Sequence, residues 1–158
     1  MSIVPDTDIA KIKAMPKTLL NPRARSKQHD KYLAKGYDVE GPNGEKFHLY
    51  TRQSTLDPDD FSTGLIWLRS GDDVTLARYN GASHVHRNAI EGDKLSFVCH
   101  IHELTERYQS VGKKGESYAV ATTQYGNLDQ ALALLLKDWN ILKPSRKIVG
   151  DDPDPGLL

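Results

Sequence analysis

At 158 residues, with 38% hydrophobic and 27% charged side chains, the chain has the make-up of one soluble globular domain with a sizeable core. Basic and acidic residues balance at 21 each, which excludes a global field aimed at nucleic acid or an acidic substrate; such a partner has to be met by a local patch. The single cysteine, Cys99, excludes a disulfide framework and a Cys-rich zinc site, and no apolar run is long enough for a signal peptide or membrane span, so a cytoplasmic protein is expected.

The first element expected is a short helix near 6–14, after which Pro16 and Pro22 interrupt any longer helix. Residues 11–35 carry eight basic side chains (Lys11, Lys13, Lys17, Arg23, Arg25, Lys27, Lys31, Lys35) against one acid, Asp30. Residues 1–35 therefore read as a basic N-terminal arm with a short helix, and Arg23 and Arg25 as candidate phosphate contacts. A single α+β domain is expected over 36–142. GYDVE and EKFHLYTR flank the turn GPNG as one hairpin; STGLIWLRS and VTLARYN flank Gly71-Asp72-Asp73 as a second. KLSFVCHIH, residues 94–102, reads as one regular strand. ELTERYQSVG follows as a short helix beginning at Glu103 and closed by Gly112. After a last short strand in ESYAVATTQY, NLDQALALLLKDWN is an apolar-rich helix with Asn127 as its cap. The sum is α+β: an antiparallel sheet of five or six strands, with the C-terminal helix packed on one face and a short helix after the His100/His102 strand. Residues 143–158 read as an acidic, Pro-rich flexible tail.

Four of the six histidines fall in residues 81–102, as His84-X-His86 and His100-X-His102. Because successive strand side chains point to opposite faces, Leu95, Phe97, Cys99 and Ile101 are expected on a core face and His100 and His102 on the other. The same alternation turns Phe47 and Leu49 inward and His48, Tyr50 and Arg52 outward. With Arg69, Arg78, Arg87, Glu106, Arg107 and Tyr108, this second face has the composition of a ligand surface. Imidazoles that titrate near neutrality can pass a proton to and from a phosphodiester, arginines match phosphate oxygens, and tyrosines can stack a base. The first expectation is a metal-independent ribonuclease or nucleotide phosphodiesterase, with no cofactor. In it, one histidine of each pair (His84 or His86, His100 or His102) forms an acid–base couple and Arg107 balances phosphate charge.

Two resemblances extend this reading. His84-X-His86 followed by Glu91 fits the first metal motif of the cupin family, which implies a divalent transition metal held by some of His84, His86, Glu91, His100 and His102. Arg78 and Val98 stand where that family carries flanking glycines, and its second motif has no counterpart. Over residues 45–142, the blocks RYNGASHVHRN, HIHELTERY and ALALLLKDWNI resemble a bacterial and phage family of small proteins marked by His-X-His and Thr-Glu-Arg-Tyr. That likeness implies a site at His84, His86, His100, His102, Glu106, Arg107 and Tyr108 without naming a reaction; small proteins of this kind are often toxin-like nucleases or phage-defence factors. A third expectation, from another class, is a non-catalytic module binding nucleic acid or a protein partner, a second copy included, with no membrane contact.

Overall fold

The computed structural model describes residues 2–144. Its centre is a nine-stranded sheet built on the two expected hairpins. These are β3 (Tyr32–Glu40) with β4 (Lys46–Ser54), and β5 (Phe61–Leu68) with β6 (Val74–Asn80). Gly44 and Gly71 lie in the hairpin turns at φ +85° and +72°, a backbone state that costs glycine little. The sheet grows outward through short strands. β1 (Lys17–Leu19), β2 (Lys27–His29) and β11 (Ile141–Leu142) add on one side, β9 (His100–Glu103) and β10 (Ala119–Ala121) on the other. The order is β10-β9-β6-β5-β4-β3-β1-β11, with β2 also on β3; β1 and β11 pair parallel and the other pairs are antiparallel. Five or six strands were expected; the additional ones, β1, β2 and β11, are two or three residues long, too short to show a period.

One face of the sheet is the core. Tyr37, Val39, Phe47, Leu49, Leu65, Ala77 and Tyr79 line it, each 1% exposed or less. Helix α3 (Leu128–Asp138) covers it, capped by Asn127, whose side chain accepts from Gln130 N. Tyr79 donates its hydroxyl to Asp138 of that helix. Helix α1 (Asp6–Ala14) lies on the same side, where Lys13 pairs with Glu103.

The basic arm does not stand apart from this domain. β1 and β2 are sheet strands, and Lys17 is fully buried, donating to Trp139 O at 2.6 Å and Met15 O at 3.1 Å. The short helix α2 (Glu106–Ser110) starts three residues later than expected, because Glu103 belongs to β9 and Thr105 is the N-cap. The expected tail falls largely on residues 145–158, outside the described residues. Among the described residues no helix is long and apolar enough to cross a membrane.

Candidate functional site

Opposite the helices, cross-strand register assembles the polar face foreseen from alternation. One row runs Gly36, Tyr50, Gly64, Arg78, His102, Ala119; the next runs Ala34, Arg52, Ser62, Asn80, His100, Ala121. His48, Tyr50, Arg52 and Arg78 thus share one face with His100 and His102. Gly64 is part of the construction: a Cβ there would stand 2.6 Å from the Tyr50 hydroxyl, so the phenol lies flat across β5 only because that residue is glycine.

The segment 94–102 departs from expectation. It is not one strand: β8 (Lys94–Ser96) pairs with β7 (Val85–Arg87) in a separate hairpin, and the chain turns at Phe97 before β9 begins. Phe97 adopts φ +53° and is 65% exposed, where the period-two pattern placed it in the core. His100 and His102 keep their side of the sheet but are only 2% and 3% exposed. The β7–β8 hairpin folds over them and brings His86 down, with ring centres 5.8 Å from His100 and 4.8 Å from His102; His100 and His102 are 5.1 Å apart.

Asn88 positions that hairpin, and the sequence carried no sign of its part beyond its place after His86-Arg87. Its buried amide imitates a strand residue toward β10, donating to Ala119 O at 2.7 Å and accepting from Ala119 N at 2.8 Å. The same oxygen accepts from His86 Nε2 at 3.0 Å, which defines the proton on that ring. His100 Nδ1 donates to Val98 O and His102 Nδ1 to Glu116 O, both at 2.9 Å. Burial, with Arg78 and the neighbouring imidazoles adding to it, lowers the pKa of both rings, that of His102 to about 3. Both are therefore neutral at pH 7.

The other expected site residues do not join this histidine group. His84 is exposed, its Nδ1 3.4 Å from Ser83 Oγ. Glu91 accepts from the Tyr108 hydroxyl at 2.7 Å and pairs with Arg107, while that hydroxyl also accepts from Ile90 N. Glu91, Arg107 and buried Tyr108 thus brace the hairpin turn and do not join the histidines. Glu106 and Asp6 cap each other's helices, Glu106 Oε1 accepting from Asp6 N and Asp6 Oδ1 from Glu106 N. The α2 N-terminus is consequently no anion site. Arg69 closes its own turn on Asp72 and lies over Trp67; Arg87 reaches Gly92 O. Arg52 bonds Asp60 and stacks on Tyr32. Arg23 is exposed, and Arg25 lines a groove of about 520 Å³ with Lys27, His29, His48, Tyr50 and Arg52.

Comparison with known proteins finds no matching family model, no matching curated protein and no matching solved structure.

Proposed function

We propose that the chain binds a phosphodiester ligand, RNA first among them, on the Tyr50–Arg78–His102 face, and hydrolyses it there. The observation that carries this reading is Arg78. The residue is half-buried at the centre of the face, and among the described residues no hydrogen bond or ion pair answers it. A partly desolvated cation without a partner is unfavourable, and a phosphate that accepts two parallel N–H bonds relieves it. Around Arg78 stand what such a ligand needs: a tyrosine across Gly64, neutral imidazoles on the next strand, and the basic groove for the continuing polyanion. In the couple of His84 or His86 with His100 or His102, the neutral second member can serve only as the base, and a ring with its pKa near 3, such as His102, is a poor one.

Anisotropy titrations of labelled single-stranded RNA test the reading. Arg78→Gln should weaken binding by about tenfold to a hundredfold, the worth of one hydrogen bond to a charged group. Equal affinity in the variant would remove the proposal. A screen of RNA, single-stranded DNA and cyclic nucleotides, with and without divalent ions, tests hydrolysis; no product from any of them would reduce the protein to a binding module.

A further inference from the structure

The three rings under the hairpin carry a second inference, which does not depend on the phosphate reading. Each of His86, His100 and His102 donates one N–H to a protein oxygen: Asn88 Oδ1, Val98 O and Glu116 O. Each is left with one lone-pair nitrogen, Nδ1 on His86 and Nε2 on the other two. The described residues bring one polar hydrogen near them, from the Asn80 amide, at 3.5 Å from His100 Nε2. Among those residues the side-chain atoms that are buried without a partner are Asn80 Oδ1 and Trp139 Nε1; the free nitrogens of His86 and His102 are not among them.

We infer that His86, His100 and His102 form a three-histidine site for a divalent transition ion of the zinc or cobalt type, with a fourth position open to water or an anionic ligand. An imidazole that ligates a metal gives its other N–H to a carbonyl or similar acceptor, which fixes the tautomer and the ring plane; all three rings here do so. Zn–N bonds of about 2.0–2.1 Å in a tetrahedral site put ring centres about 5 Å apart. The separations found are 4.8, 5.1 and 5.8 Å. As the side chains stand, no group of three or more His, Cys, Asp or Glu among the described residues could hold a metal ion. Binding therefore requires the three rings to turn toward a common point from the orientations that their N–H bonds now hold. The ligand set differs from the one the His84-X-His86…Glu91 motif implies. His84 lies outside the triangle, and Glu91 is engaged by Tyr108 and Arg107. Arg78, in register with His102, would repel a bare dication and favours an anion in the fourth position.

Full-length protein freed of metal with a chelator is titrated with Zn2+ alone by calorimetry and with Co2+ alone by visible absorption. The expected result is one ion per chain and the intense bands of tetrahedral cobalt. His86→Ala and His102→Gln should each lower affinity by about a hundredfold or more, beyond the 10–100-fold lost with an outer hydrogen-bond partner; His84→Ala should leave it unchanged. His86 is half-buried on a surface hairpin, so His86→Ala serves even where His102→Gln fails to fold, with circular dichroism as the control. Absence of cobalt bands in the wild type, or binding untouched by His86→Ala, would overturn the site. Neither result bears on Arg78 and RNA affinity measured without metal.

Discussion

Lys17 turns the burial of the basic segment into a pH-dependent stability. The ammonium sits between the end of α1 and the last turn of α3, donating to Trp139 O and Met15 O and lying over the Phe47 and Trp139 rings. Burial lowers its pKa from 10.5 to about 8, Glu45 opposing only in part. The gap is worth roughly 3 kcal/mol, since one pKa unit is about 1.4 kcal/mol. The sign follows from linkage. Below pH 8 both states are protonated and the folded chain bears the whole cost of a buried charge. Between pH 8 and 10.5 the unfolded state holds more protons, so stability rises with pH. Between pH 7 and 9.5 about 2 kcal/mol of the cost should be relieved. Urea denaturation of wild type and Lys17→Met at both pH values isolates this contribution from the other titrations, the buried tyrosines included. Their stability difference should shift by about 2 kcal/mol in favour of wild type on going to pH 9.5. A difference constant to within about 0.5 kcal/mol would mean that the lysine is solvated, and the placement of β1 would be wrong.

Two further outcomes concern the hairpin over the histidines. Asn88→Ala removes the amide that joins it to β10 and leaves Ala119 N and O unpaired, a loss of about 2–4 kcal/mol. Hydrogen exchange should quicken at the amides of residues 85–96, and unchanged protection would show that something else moors the hairpin. Phe97→Gly should stabilise the fold by about 0.5–1 kcal/mol, because a bulky residue at φ +53° is strained and its exposed ring has little packing to lose. A lower melting temperature in that variant would assign the ring a packing role.

Local chemistry was enough for the parts of this protein that are long and regular. Period-two alternation in EKFHLYTR placed Phe47 and Leu49 in the core and His48, Tyr50 and Arg52 on the far face, as the register has them. GPNG and Gly71-Asp72-Asp73 marked both hairpin turns, and Asn127 the start of the last helix. Each is a near-neighbour effect, set by side-chain spacing or by one residue's φ and hydrogen bond. The site needed more. His100 and His102 could be put on a face, but nothing in KLSFVCHIH shows the break at Phe97 or the hairpin that buries both rings under His86. That cover depends on Asn88 meeting Ala119, 31 residues away, and on Tyr108 and Arg107 holding Glu91. Nor could charge alone show that Lys17 is core while Arg25 lines a groove. Strands of two to four residues have no period to read, and their pairing is decided by which distant edge satisfies their backbone groups; only the folded chain makes that choice.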